Sequence, residues 1–274
     1  MTSVDTNACY MAIVQLTKEA GKLVRERIWN KKTVQTKSCE VDLVTETDQQ
    51  VERLLIEGLS SSFPDHKFIG EESTAEGLKC ELTDAPTWII DPVDGTMNFV
   101  HGYPNVCISV ALWVNKVAEI GIIYNPVLEQ FFSAQKGKGA FLNGNQIHAS
   151  SETELSKSLM IMEFGTSRDP NKMKVVMENM QMLVPLVHGT RSSGSAALNM
   201  AMVAMGAADA YFEYGIHAWD IAAGDLIVRE AGGVVMDPAG GPLDLMSRRM
   251  LCAGTDQLAE KLTATVKQLY LERD

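Results

Sequence analysis

Positive charge is in short supply. The chain of 274 residues carries 24 Lys and Arg against 35 Asp and Glu, a formal net charge of −11. Broad nucleic-acid binding needs basic surface, and so does a polybasic membrane patch, so neither partner is expected. Cysteine gives no framework either. Cys9, Cys39, Cys80, Cys107 and Cys252 are odd in number and scattered, with no Cys-x-x-Cys. That predicts free thiols in a reducing compartment, not disulfides or a zinc site. No apolar run reaches the roughly 18 residues of a membrane span, and no basic stretch followed by an apolar segment opens the chain, so the cytosol is the expected location. A Gly-x-x-x-x-Gly-Lys-Ser/Thr loop is missing, which disfavours a kinase-like transferase. There is no internal repeat, low-complexity tract or obvious linker. A chain this acidic that handled phosphate would have to bring in positive charge, and a metal ion is the obvious source.

What is present reads as a soluble globular protein, 46% hydrophobic and 22% charged. Ile13, Leu16, Ala20, Leu23 and Arg27 recur at helical steps, and Val51, Leu54, Leu55, Gly58 and Leu59 predict a second helix starting near Thr45. Short strands are expected at 67–70, 87–90, 106–114, 117–124, 130–134, 140–142 and 146–148, with hairpin turns at Asn115-Lys116 and Asn143-Gly144. These hairpins predict a largely antiparallel or mixed sheet. The second half alternates. Strands are expected at 159–162, from Val187, at 210–213 and at 234–236, and helices at 171–182, 195–205, 219–231 and 256–270. Such alternation favours layered α/β packing. The expected organisation is one unit over 1–274 with two sheet-centred halves, about 1–150 and 151–274. The fifteen methionines are read as core filler.

The most informative segment is Asp91-Pro92-Val93-Asp94-Gly95-Thr96-Met97-Asn98-Phe99, which follows the apolar run Trp88-Ile89-Ile90. A buried strand would deliver Asp91 at its carboxyl end, where α/β folds place ligands. Pro92 restricts φ and Gly95 relaxes it, so two carboxylates can point at one centre around a tight turn. Taken alone, this is a strand-to-helix turn with Asp94 as N-cap. Gly70-Glu71-Glu72 also follows a short strand, however, and Trp219-Asp220 opens a later helix. Acids gathered together are costly unless a cation neutralises them, and an all-oxygen set suits Mg²⁺. A helix cap at Asp220 and a structural salt-bridge cluster are the competing readings.

Taken together, Gly70-Glu71-Glu72, the run 91–99 and Trp219-Asp220 with Ala222-Ala223-Gly224 resemble the three signatures of the inositol monophosphatase family. That family belongs to the lithium-sensitive, Mg²⁺-dependent phosphatases. The resemblance extends to Val41-Asp42-Leu43-Val44-Thr45, Arg191-Ser192-Ser193-Gly194-Ser195-Ala196-Ala197 and 240–249. Met97 departs from it, standing where the family usually has a second threonine.

The resemblance implies an α/β fold, an αβαβα sandwich with two sheets between helix layers. It implies hydrolysis of inositol monophosphates to myo-inositol and phosphate by a metal-activated water, without a phosphoenzyme and with Li⁺ inhibition. Glu71, Asp91 and the Val93 carbonyl would hold a first Mg²⁺, and Asp91, Asp94 and Asp220 a second, with a third, weaker ion near Glu71. A shared Asp91 suits the ~4 Å spacing of two-metal phosphoryl transfer. Thr96, bonded to Asp48, would orient the water, and Glu71 would help accept its proton. The amides of Gly95 and Thr96 would hold phosphate oxygens. Gly194, Ser195, Ala196 and Glu213 would face the polyol, beside Glu71, Val93, Asp94 and Asp220. A homodimer is implied as well. For the residues alone, plainer roles stay open: Asp48 suits a helix start, Thr96 can be a cap, Gly194 an ordinary glycine before a helix, and Glu213 a solvated acid at a strand end. His217 is read as a packing residue and Lys37 as solvated surface. A related phosphatase for nucleotide bisphosphates or sugar phosphates, or a catalytically silent metal-binding scaffold, are the alternatives.

Overall fold

The computed structural model describes residues 4–32, 34–36 and 43–274. Cys39, Lys37 and Val41-Asp42 lie outside the described residues.

Helix α1 (Thr6–Arg27) starts where the Asp5 carboxylate accepts the amides of Asn7 and Ala8. Its deepest face is Ile13, Thr17, Ala20 and Val24, with Leu16 and Leu23 only half-buried beside it. A short hairpin, β1 (Val34–Thr36) and β2 (Leu43–Thr45), leads into α2 (Glu46–Ser62). Thr45 and Asp48 form a capping box there, which sets the helix start where the sequence predicts it. Next come β3 (Lys67–Gly70), α3 (Glu71–Ala75), β4 (Thr87–Asp94) and α4 (Thr96–His101). A run of antiparallel strands follows: β5 (Cys107–Val114), β6 (Val117–Asn125), β7 (Gln130–Gln135), β8 (Ala140–Leu142) and β9 (Asn145–Ile147). These strands form one seven-stranded sheet in the order β3-β4-β5-β6-β7-β8-β9, in which only the β3–β4 pair is parallel. The expected hairpin turns are there, with φ of 52° and 58° at Asn115 and Lys116, and 51° and 82° at Asn143 and Gly144.

The rest of the chain supplies β10 (Leu159–Met162), α5 (Pro170–Leu183), β11 (Gly189–Arg191), α6 (Ala196–Ala204), β12 (Ala210–Tyr214), α7 (Ala218–Glu230), β13 (Val234–Met236), β14 (Arg249–Ala253) and α8 (Asp256–Thr263). Its five-stranded sheet has the order β11-β10-β12-β14-β13. β10 is parallel to both its neighbours, and β14 antiparallel to both of its own.

Strand periodicity explains the layers. Along β5, Ile108, Val110 and Leu112 join one core with Ile13 of α1 and Val51, Leu55 and Leu59 of α2. The alternate residues Cys107, Ala111 and Trp113 join a second core with α6 and α7. That second core also takes Tyr211 of β12 and Cys252 of β14, so α6 and α7 fill the space between the two sheets. A third core holds Val176 and Leu183 of α5 and Leu258 and Leu262 of α8 against Met160 and Phe212. The result is the αβαβα sandwich. Gly121 permits close packing of the middle layer: a Cβ there would lie 2.6 Å from the Ala223 carbonyl oxygen. Ser109 Oγ donates to Trp219 O at 3.2 Å and Trp113 Nε1 to Ala222 O at 3.3 Å, which fixes α7 on β5.

Several boundaries differ from expectation. The strand expected to end at 90 runs on to Asp94, with its register broken between Asp91 and Asp94. The strand expected from Val187 starts at Gly189, because the Leu183 carbonyl accepts the Leu186 and Val187 amides in a turn after α5. The last helix stops at Thr263, not 270. Just beyond it, Asn179 binds both the amide and the carbonyl of Lys267, and Tyr214 Oη donates to that same carbonyl, so side chains take over the backbone groups a helix would use. β14 was not anticipated, although Met250-Leu251-Cys252-Ala253 is an apolar run.

Candidate active site

β4 is buried along its whole length, and its carboxyl end carries the acids. The break in register after Asp91 turns the chain: Asp91 Oδ1 accepts the Val93 amide at 3.0 Å. Gly95 then adopts φ 91° and starts α4. A Cβ at Gly95 would lie 3.0 Å from Asn105 O and 3.1 Å from Gly194 O, so only glycine lets the two loops meet. Asn98 Nδ2 ties them together, donating to Asn105 O and Ser193 O at 2.8 Å each.

Carboxylate oxygens of Asp91, Asp94 and Asp220 lie within 4.8 Å of one another. Asp91 and Asp94 come from the seven-stranded sheet, and Asp220 from the first turn of α7, 126 residues later in sequence than Asp94. The His217 amide orients Asp220, donating to Oδ2 at 2.6 Å. Burial comes first among the causes that push the Asp91 carboxyl well up, followed by the charges of Glu71, Asp94 and Asp220. Burial and the Asp94 charge raise Asp220 likewise. Asp94 rises only to about 6, because the Ser195 hydroxyl and the Ala197 and Ala196 amides oppose burial. Buried like charges of this kind favour a divalent cation, and a hard, all-oxygen donor set suits Mg²⁺ better than zinc. The cluster fits a metal ion on these grounds.

Glu71 starts α3, half-buried, and its charge acts on Asp91, Asp94 and Asp220. Glu52 of α2 holds that helix start, its carboxylate accepting the amides of Glu72 and Ser73 at 2.8 Å each. Thr96 Oγ1 lies 3.2 Å from Asp48 Oδ1 and 3.1 Å from the Val93 carbonyl oxygen. The other oxygen of Asp48 accepts the Thr45 amide at 3.0 Å, so one carboxylate serves the α2 cap and Thr96 together.

Asp94 reaches across to the second half. It accepts Ser195 Oγ at 2.6 Å, the Ala197 amide at 2.7 Å and the Ala196 amide at 3.2 Å, and so sits on the start of α6. The Gly194 amide goes to Glu163 Oε1 at 2.9 Å, and the Ser193 amide to the same oxygen at 2.6 Å. Two of the amides expected to face a substrate are therefore given to carboxylates. Glu213 lies at the end of β12, buried, bonded by the Tyr211 hydroxyl, and its pKa is raised to about 7 by burial and the Glu163 charge. Burial rules out the solvated-acid reading of Glu213.

His217 stacks on Trp219 with ring centroids 4.5 Å apart, and its Nδ1 lies 2.6 Å from Asp274 Oδ1. Asp274 Oδ2 also accepts the Ala218 amide at 2.8 Å and so caps α7 from the far end of the sequence. Glu52, Glu163 and Asp274 had no local sequence signal, because each acts through a contact distant along the chain. Among the described residues Cys9, Cys80, Cys107 and Cys252 are free thiols, and no helix is long and apolar enough to cross a membrane.

Known proteins share both sequence and architecture with this chain. The model of the inositol monophosphatase family matches residues 5–271. Inositol monophosphatase 1 of Homo sapiens is 50% identical over 267 residues, 97% of this chain and 96% of that protein. Inositol monophosphatase 2 of Mus musculus is 46% identical over 97% of this chain and 92% of its own length. The crystal structure of extragenic suppressor protein suhB from Bartonella henselae superimposes with a TM-score of 0.85 at 30% identity, covering 95% of this chain and 99% of that one. The chain belongs to the inositol monophosphatase family.

Proposed function

We propose that this protein hydrolyses inositol monophosphates to myo-inositol and inorganic phosphate with Mg²⁺ as cofactor, two to three ions per subunit. The observation that carries the reading is the convergence of Asp91, Asp94 and Asp220 from separate layers to within 4.8 Å, the first two buried, the third half-buried, and all mutually repelling. Glu71, Asp91 and the Val93 carbonyl would hold one ion, and Asp91, Asp94 and Asp220 another. Bound there, Mg²⁺ supplies Lewis-acid polarisation of the phosphoryl group and a lowered pKa for water. Thr96 Oγ1, set between Asp48 and the Val93 carbonyl, holds the attacking water in line. Glu71 accepts the proton that this water loses. Gly95 and Thr96, at the turn into α4, bring backbone amides to the phosphate, and Glu213 accepts a hydrogen bond from a hydroxyl of the polyol, with Gly194, Ser195 and Ala196 shaping the adjoining wall. Attack by water on phosphorus needs no nucleophilic side chain, so no phosphoenzyme forms. Li⁺ inhibition, a homodimer and a cytoplasmic setting belong to the same reading and rest on the family likeness.

The test is phosphate release from inositol 1-phosphate with and without Mg²⁺, beside a 3′-phosphoadenosine phosphate and sugar phosphates. Mg²⁺-dependent turnover fastest on the inositol ester is expected. Far faster turnover of the nucleotide would overturn the substrate assignment, and no phosphate release despite measurable Mg²⁺ binding would point to a silent scaffold.

A further inference from the structure

Lys172, in the first turn of α5, is 2% exposed and has no acidic side chain within ion-pair distance among the described residues. Among the described residues its ammonium has no hydrogen-bond partner, while its backbone amide goes to Asp169 Oδ1. Among the described residues, the fully enclosed polar side-chain atoms without a partner are Thr17 Oγ1, Arg248 Nε and Gln268 Oε1. The Lys172 ammonium is not one of them, so its donors face an opening and not packed protein. A buried ammonium without a partner is costly, and it persists where a ligand or a surrounding field completes it.

Two glycines make room for this ammonium. A Cβ on Gly165 would lie 2.7 Å from Lys172 Nζ, and one on Gly215 would lie 2.8 Å from it. Both glycines have positive φ, 65° and 86°. The hypothetical Cβ on Gly165 would also be 3.0 Å from Glu213 Oε1. The ammonium and the carboxylate therefore border one small gap without forming a direct ion pair, at a separation that a single oxygen atom can bridge. The surrounding charges are mixed: Glu213 and Asp220 favour the ammonium, and Arg168 and Arg248 oppose it. Glu163 adds negative charge beside Glu213. A second phosphate placed in the gap would meet Glu213 and Glu163, whereas a hydroxyl can accept from Lys172 and donate to Glu213.

We propose that Lys172 and Glu213 together hold one hydroxyl of the substrate polyol, which makes Lys172 a specificity-determining residue. The proposal rests on the hydrolysis of inositol monophosphates set out above, and extends it to a donor–acceptor pair on the ring side of the substrate. Such a pair rejects an analogue that lacks the hydroxyl, because both buried groups are then left unmatched.

The experiment compares wild type with Lys172→Met on inositol 1-phosphate and on a set of its monodeoxy analogues, with thermal melting as a check on folding. KM for inositol 1-phosphate should rise about tenfold with kcat within about twofold, the signature of lost binding common to ground and transition states. For one deoxy analogue, wild type already shows that rise and the substitution adds nothing. Lys172→Gln, which keeps a donor without the charge, should fall between the two and carries the same comparison if Lys172→Met melts early. An unchanged KM, or a penalty equal for every analogue, overturns the role of Lys172. Failure of the wild type to hydrolyse any inositol monophosphate would instead overturn the underlying function.

Discussion

Replacing Glu213 by Gln should stabilise the protein while impairing its activity. Burial and the Glu163 charge raise the Glu213 pKa from an ordinary 4.5 to about 7, against the opposing pull of the Tyr211 hydroxyl and Lys172. A carboxyl whose folded pKa is raised costs stability as it ionises. Well below pH 4.5 it is protonated in both folded and unfolded chains and costs nothing. Between 4.5 and 7 the unfolded chain releases the proton first, and the penalty grows. Above 7 it levels off. The rise from 4.5 to about 7 corresponds to a penalty of about 3 kcal/mol at pH 8, against less than about 1 kcal/mol at pH 5. Gln mimics the protonated acid and can still accept from Tyr211, so Glu213→Gln should gain that difference. For 274 residues, about 3 kcal/mol corresponds to roughly 5 °C in Tm. Differential scanning calorimetry of both proteins from pH 5 to 8, without divalent ions, measures it. A variant less stable than wild type at pH 8, or an advantage that does not grow with pH, would refute the assignment of a strained, ionised Glu213. In the phosphate-release assay the same variant should lose about tenfold or more in kcat/KM on inositol 1-phosphate, having lost its ionised acceptor.

Asp91→Asn should reduce Mg²⁺-dependent turnover by about 10³-fold or more, yet leave ion-free stability at pH 8 unchanged or higher, because it removes a carboxylate that burial and three neighbouring acids oppose; a clear drop in ion-free Tm would contradict the repulsion. Asp94→Asn should gain less ion-free stability than Asp91→Asn in urea unfolding at pH 8, since three hydrogen bonds at the start of α6 hold the rise of the Asp94 pKa to about 6; a gain as large as that of Asp91→Asn would contradict their role. Thr96→Val keeps the shape of the side chain but removes the hydroxyl between Asp48 and the Val93 carbonyl. It should lower kcat by about 10²-fold with KM little changed, and equal turnover would remove Thr96 from the reaction. Gly121→Ala would place a methyl group 2.6 Å from the Ala223 carbonyl, pushing α7 off the sheet at a cost of about 1–3 kcal/mol, read as a lower urea midpoint.

The residues legible in the sequence are those whose chemistry is local. The turn 91–95 could be read because Pro92 and Gly95 shape the chain within a few residues of the acids they aim, and the α2 start because Thr45 and Asp48 stand at capping-box spacing. The strands read well where apolar runs end in turn residues, as on both sides of Asn115-Lys116. Reading failed where a distant side chain replaces a local rule. Leu262, Val266 and Leu269 continue a helical period past Thr263, but Asn179, 88 residues away in sequence, takes the backbone groups of Lys267. Glu52 and Glu163 are ordinary acids in sequence, and only folding shows that they hold the starts of the segments bearing Glu71 and Gly194. Lys172 was hidden for the same reason: no acid near the cluster has a basic neighbour in sequence, yet α5 brings one in through space.

The acids of the cluster do not share one role, and the division explains how such a site can exist before any ion arrives. Three hydrogen bonds hold Asp94 to the start of α6, which lowers the cost of its charge and joins the seven-stranded sheet to the layer between the sheets. Apart from its bond to the Val93 amide, Asp91 faces carboxylates, and Asp220 has the His217 amide and the same carboxylates. Asp94 thus behaves as a fixed strap, while Asp91 and Asp220 keep oxygens directed at a common point with few protein donors to satisfy them. Packing of α7 on β5 through Ser109 and Trp113, and on β6 through Gly121, supplies the rigidity that keeps the repelling pair from separating. The strain is therefore borne by an apolar interface, and the electrostatic need is left unmet at one place, where a cation and a phosphate ester are to be received.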